Sequence, residues 1–203
     1  MSNFLPATLM LAAVIATSSL NGQAVSTASR VADLQVGVSA STANPDYSES
    51  VYNLTQPTSS SSRWHGYGVY ADLDLRLHLG IEFEFHQLSG PDPVLYERTF
   101  EVGGRYLVPI RRFVPYGKAM VGRGIFNFAA INASGQSEQI ANLGYNTQSF
   151  GGGLDLKLLP GLNMRVFDYE YQQWDNFPPY KLNPQVFSFG VAYHFHGPMG
   201  LRK

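Results

Sequence analysis

Residues 78–86 alternate without a break: Leu79, Ile81, Phe83 and Phe85 share one face, and Gly80, Glu82, Glu84 and His86 the other. A period of two marks a β-strand with unlike faces. The pattern recurs at 67–75, where Tyr67, Val69, Ala71, Leu73 and Leu75 oppose Gly68, Tyr70, Asp72 and Asp74. At 97–108, Phe100, Val102, Gly104, Tyr106 and Val108 oppose Thr99, Glu101, Gly103 and Arg105. Further strands are expected at 115–121, 150–158, 165–172 and 187–195, with a weaker first strand at 34–40. In 165–172 the alternation sets Phe167, Tyr169 and Tyr171 against Val166, Asp168, Glu170 and Gln172. Past residue 25 no stretch keeps helical apolar spacing over three turns. Eight strands result, each near the ~9–11 residues of a tilted strand crossing a bilayer.

The connections set the architecture. Those at 76–77, 109–112 and 159–161 are short, those at 42–64, 126–148 and 174–184 are long, and 89–95 is moderate. Short and long joins that alternate around antiparallel strands put all long loops at one end, as a transmembrane barrel does. The expected fold class is all-β, an eight-stranded antiparallel up-and-down transmembrane β-barrel.

Period two alone does not say which face points outward, but side-chain volume does. The apolar face is crowded with Phe, Tyr and Leu, whereas the other carries Gly68, Gly80, Gly103, Gly151, Gly153 and Gly190. The interior of an eight-stranded barrel is barely wide enough for its own side chains, so the small residues belong inside and the rings against lipid. Phe85, Phe126, Phe150, Tyr171, Trp174 and Phe187 at the long-loop ends, with Tyr106, Phe113 and Tyr193 at the short-turn ends, are expected to form two aromatic girdles. Composition agrees. Charged residues are 14% of the 203, against roughly 25% in ordinary soluble domains, and aromatics reach 13%. The net charge of −1 argues against a nucleic-acid partner, and the lack of cysteine excludes disulfides and thiolate metal sites.

The inward face is expected to carry a polar network: Asp72, Glu82, Glu84, Glu101, Arg105, Lys118, Asp155, Lys157, Asp168 and Glu170. An unpaired buried charge is costly, so these side chains should pair and fill the lumen. Acids outnumber bases in this set. Protonation, water, or Arg165 or Arg123 turned inward by a bulge would meet the excess. A proton or cation path is the alternative use of the same residues.

The run Val114-Pro115-Tyr116-Gly117, the run Phe167-Asp168-Tyr169-Glu170-Tyr171, and above all the closing Phe189-Gly190-Val191-Ala192-Tyr193-His194-Phe195 carry a resemblance. The chain resembles the bacterial outer-membrane β-barrel domain family, small eight-stranded barrels related to the transmembrane part of OmpA-type porins. The resemblance implies an outer-membrane protein that works through its loops, with no catalytic residue and no cofactor. It also implies that Phe189, Val191, Tyr193 and Phe195 form the signal by which the barrel-assembly machinery captures its clients. Residues 196–203 follow that signal, which in these barrels often ends the chain.

Residues 4–19 are apolar, and Gly22 and Ala24 suit a signal peptidase, so 1–24 reads as a signal peptide and 25–203 as the barrel domain. No Lys or Arg precedes that run; the first charged residue is Arg30. His194 and His196 share a strand face but lack an evident third ligand, so no metal is expected. Gly151-Gly152-Gly153 lacks the helix and Lys of a phosphate cradle. Two alternative functions stand beside the structural or surface-interaction role. One is a lipid-modifying barrel enzyme using His65 beside Ser59, Ser60, Ser61 and Ser62; the other is a soluble lipocalin-like carrier. The expected partners are outer-membrane lipid and an extracellular molecule at loops 43–64, 127–147 and 174–184, around a monomer. Tyr47, Tyr52, Trp64 and Tyr180 are read as cores of those loops rather than contacts.

Overall fold

A computed structural model describes residues 32–44, 63–75, 77–90, 94–131, 137–177 and 182–195. The signal segment, Ser59 to Ser62, Tyr47, Tyr52, Tyr180 and His196 lie outside the described residues. Eight strands follow one another: β1 (Ala32–Asn44), β2 (Trp64–Leu75), β3 (Leu79–Ser89), β4 (Tyr96–Leu107), β5 (Phe113–Ile131), β6 (Ser137–Leu159), β7 (Leu162–Trp174) and β8 (Gln185–His194). Each pairs antiparallel with the next, and β1 pairs with β8, so the sheet closes into a barrel with no open edge along its wall. Closure satisfies the backbone where no water is present to do so.

The faces divide as lipid requires. Val38, Phe83, Phe100, Val121, Phe150, Phe189 and Tyr193 point outward and are half or more exposed. Asp72, Glu82, Glu84, Arg105, Lys118 and Arg165 point inward and are buried. A soluble carrier would show the reverse arrangement. Leu77 and His78, both with φ near 65°, make the tight turn between β2 and β3, the backbone form that suits the twist of a two-residue hairpin.

Several strands depart from the alternation read in the sequence. β5 and β6 do not end at a long loop from 126 to 148; they stay paired from Phe113↔Leu156 out to Ile131↔Ser137. β4 leaves β5 at Asn127 and β7 leaves β6 at Thr147. The outer part of the hairpin is therefore a two-stranded ribbon beyond the barrel wall. With water on its faces, nothing imposes the apolar alternation that marks the membrane-crossing part.

A register shift between Arg165 and Asp168 sets Val166 and Phe167 both outward and turns Arg165 into the lumen. Val166 thus leaves the polar face assigned to it. Phe126 and Trp174 are not girdle residues either: each is 1% exposed and points inward at the long-loop end. Their position along the strand explains this. Trp174 continues the inward series of Glu170 and Gln172, and Phe126 that of Met120 and Gly124.

A charge on the outward face tests which solvent that face meets. Val38→Arg, near the middle of β1, is expected to lower stability by about 2–4 kcal/mol in urea unfolding from lipid vesicles. The gel-mobility difference between unboiled and boiled protein should persist. A cost near zero would mean that Val38 faces water.

Candidate functional site

The lumen is filled in layers. At the long-loop end Ala43, Trp64, Leu88, Phe126, Trp174, Phe177, Leu182 and Val186 form an apolar plug, with Leu95, Phe128 and Tyr145 packed on it. Trp64 is therefore part of a core rather than a free contact. Phe177 follows β7 and Leu182 precedes β8, and a backbone bridge joins Trp174 to Leu182. Gly124 allows this packing, because a Cβ there would meet the Trp174 ring at 2.4 Å.

Below the plug lies the charged layer, built around three cations. Lys118 Nζ stands 2.6 Å from both Glu84 Oε2 and Asp168 Oδ2, 3.1 Å from Glu170 Oε2 and 3.4 Å from Glu82 Oε1. Arg165 reaches Glu82 Oε1 at 2.8 Å, Asp72 Oδ2 at 2.9 Å and Asp155 Oδ1 at 3.3 Å. Arg105 pairs with Asp72 and reaches Asp155 Oδ2 at 2.7 Å. Two tyrosines complete the layer. The Arg165 guanidinium lies 3.8 Å from the Tyr70 ring centroid and that of Arg105 4.1 Å from Tyr116, within the range where a ring face attracts a cation. Gly37 leaves the space that the Tyr70 ring occupies, since a Cβ there would meet it at 2.3 Å.

Hydrogen bonds extend the layer to the wall on every side. Gln35 Nε2 on β1 donates to Asp72, and Asn163 Nδ2 donates to Gln35 Oε1 at 2.7 Å. Ser149 on β6 donates to Glu101 at 2.8 Å, and Tyr116 OH to Asp168 at 3.0 Å. His86 lies 3.1 Å from Glu84 and 3.4 Å from Ser188 Oγ on β8. Gln172 donates to Glu170, and Trp174 Nε1 donates to Gln172, which links the charged layer to the plug.

Of the residues read from sequence, Asp72, Glu82, Glu84, Glu101, Arg105, Lys118, Asp155, Asp168 and Glu170 come together inside the barrel. Lys157 does not: it is exposed at the short-turn mouth, lining a cavity of about 300 Å³ with Asp33, Gln35, Asp74 and Asn163. Arg165 takes the place that Lys157 was expected to fill. The adjacent apolar pair Val166 and Phe167 was its signal, because two outward residues in a row require a bulge. Arg123 stays outside, donating to Asn146 Oδ1 and to the Gly144 carbonyl.

The geometry suits a structural filling better than a metal centre. Two groups, Glu84 with His86 and Glu170, and Glu82 with Glu84 and Asp168, each present ligand atoms close enough to share an ion. The Lys118 ammonium already stands among the four carboxylates. His194, the other metal candidate, lies 3.0 Å from Asp33. His65 sits on β2 in register with Thr42 and Ser89, and among the described residues it pairs with no acid.

Lys118→Met should remove the counter-charge of four buried carboxylates while keeping the volume. The expected cost is about 3–5 kcal/mol, read as a lower urea midpoint for the folded barrel in detergent. An unchanged midpoint would show that the charged layer does not stabilise the wall.

A family model described as outer membrane protein beta-barrel domain matches residues 9–195. Among solved structures the chain is similar to Neisserial surface protein A (NspA), with a TM-score of 0.62 and 13% identity over 80% of this chain and 97% of that one. It is also similar to Ail, the attachment invasion locus protein of Yersinia pestis, solved in complex with the heparin analogue sucrose octasulfate. There the TM-score is 0.50 at 16% identity, covering 83% of this chain and 100% of that one. At such identities the likeness is one of fold, and function has to be argued from the site. No curated protein matches the chain in sequence.

Proposed function

The chain belongs to the outer membrane protein beta-barrel domain family, and from that premise we propose that it is a non-catalytic surface-interaction protein of the bacterial outer membrane. It reaches that membrane after removal of segment 1–24. The outward residues Phe189, Val191, Tyr193 and Phe195 on and just after β8 serve as the signal for the barrel-assembly machinery. The folded barrel then works as a monomer with a filled lumen.

One observation carries this reading: the β5–β6 ribbon. Its outer residues leave both neighbouring strands behind, so backbone donors and acceptors at 137–145 line an edge that, among the described residues, the barrel wall does not cover. Unpaired strand edges are natural docking points for another chain. Tyr145 and Phe128 pack against Phe177 and anchor the ribbon on the plug, with ring centroids 5.0 and 5.7 Å away. These contacts hold the base of the ribbon against the plug. The names of the two similar structures, a surface protein and an attachment protein, favour the same use of the scaffold.

Shortening the hairpin tests this. Residues 129–140 are replaced by Asn-Gly, which suits a tight turn between Phe128 and Ala141. Cells displaying the full or the shortened chain are compared for adherence to surfaces coated with heparin or serum protein. The expected result is a several-fold loss of adherence with the boiled-versus-unboiled gel shift intact. Equal adherence, or none above that of cells lacking the chain, would leave a purely structural role.

A further inference from the structure

The outward face of β3 and β4 changes character along its length. From the membrane centre toward the long-loop end the facing pairs are Phe83↔Val102, Phe85↔Phe100, Gln87↔Arg98 and Ser89↔Tyr96. Apolar pairs give way abruptly to a guanidinium. At the usual rise and tilt of such strands, Arg98 stands about 20 Å above Tyr106 at the opposite girdle. That places it near the top of the apolar band, where a long cationic side chain extends toward the headgroups.

Arg98 is held for such a task. Its Nε donates to Gln87 Oε1 at 2.8 Å, and its guanidinium lies 4.5 Å from the Tyr96 ring centroid. This leaves its two terminal nitrogens as a fork. Arg123 projects from β5 on the same outer face; Phe100 is its direct β4 partner and Arg98 is diagonal to it. Diagonal neighbours in a sheet lie about 7–8 Å apart, within reach of long side chains. Bonds to Asn146 and the Gly144 carbonyl steady Arg123. Among the described residues neither guanidinium pairs with a carboxylate. Two oriented arginines without a carboxylate partner, facing the outer leaflet, are complementary to phosphate.

Directly beneath Arg98 the wall is indented. Ala71 is the small residue in a groove of about 440 Å³, with Val69, Phe83, Phe85, Phe100 and Val102 around it. The Phe85 and Phe100 rings, 5.0 Å apart, form the upper rim between groove and arginines. An apolar channel topped by paired cations matches a molecule with an acyl chain below and a phosphate above.

We propose that Arg98, Arg123 and the groove over Ala71 form a binding site for a phosphorylated, acylated lipid of the outer leaflet. The headgroup phosphate lies between the two guanidinium groups, and one acyl chain lies along β2–β4.

The test uses the full chain, folded in non-ionic detergent, with native mass spectrometry to count bound lipid. The probes are bisphosphorylated lipid A, its dephosphorylated form and inorganic phosphate. Bisphosphorylated lipid A is expected to remain bound to the wild-type barrel. The combined Arg98→Gln and Arg123→Gln variant should retain it about tenfold less, the scale of losing charge-assisted hydrogen bonds. Ala71→Phe, which fills the groove and leaves both arginines, should also weaken retention. Dephosphorylated lipid A should bind weakly to every form. The gel shift on boiling checks that each variant is folded. Equal retention by the double arginine variant, or equal binding of dephosphorylated lipid A, would overturn the phosphate site. Displacement of the lipid by equimolar inorganic phosphate, or unchanged retention by Ala71→Phe, would overturn the lipid assignment.

Discussion

An eight-stranded barrel has room across its lumen for little more than one layer of side chains, and a charge placed there has little water to solvate it. That constraint orders the structure. Arg105, Lys118 and Arg165 come from β4, β5 and β7, and their carboxylates from β2, β3, β6 and β7. Gln35 and Ser188 bring in β1 and β8. Every strand thus contributes a polar group to the same layer, and the interior reinforces the pairing that the backbone makes around the wall. Replacing such a network by apolar residues is often neutral, whereas removing one member is not.

The two ends of the lumen are finished differently. The long-loop end is closed by rings: Trp64, Phe126, Trp174 and Phe177 contact one another with centroids between 5.1 and 6.5 Å. The short-turn end is an open polar cavity containing Lys157 and His194. A barrel stoppered on the outside and filled in the middle has its usable surfaces on the exterior. These are the ribbon above the membrane and the wall facing lipid.

The wall was legible in the sequence because two unlike solvents act on alternate residues. Phe83 and Glu82 could not exchange places, so strand number, direction and the inward carboxylates could all be read. Legibility failed where that pressure stops. In the ribbon, Asn142, Leu143 and Gly144 are all exposed, so the segment read as a loop. Trp174 and Phe126 were misplaced for another reason. Their ring type suggested a girdle, but their position in the alternation put them inside, and position prevailed. Arg165 was hidden by one extra residue in its strand, visible only as the adjacent apolar pair Val166 and Phe167. Arg98 drew no attention, because its pairing with Gln87 on β3 and Tyr96 on β4 is a property of register; Arg123 was weighed only as a residue turned inward, and it stays outside.

The seam between β1 and β8 gives the charged layer a further meaning. Ser41 and Ser188 meet across it although 147 residues separate them in the chain. It is the ladder with the greatest loop-closure cost, and so the natural one to form last. Until it forms, Gln35 lacks the amide of Asn163 and His86 lacks Ser188, and the acidic layer lies open toward the gap. An open sheet of this sequence would bring bare carboxylates toward hydrocarbon, at a cost that the closed wall avoids. The ladder that removes the last open edge is thus also the one that shuts the acidic layer off from the gap.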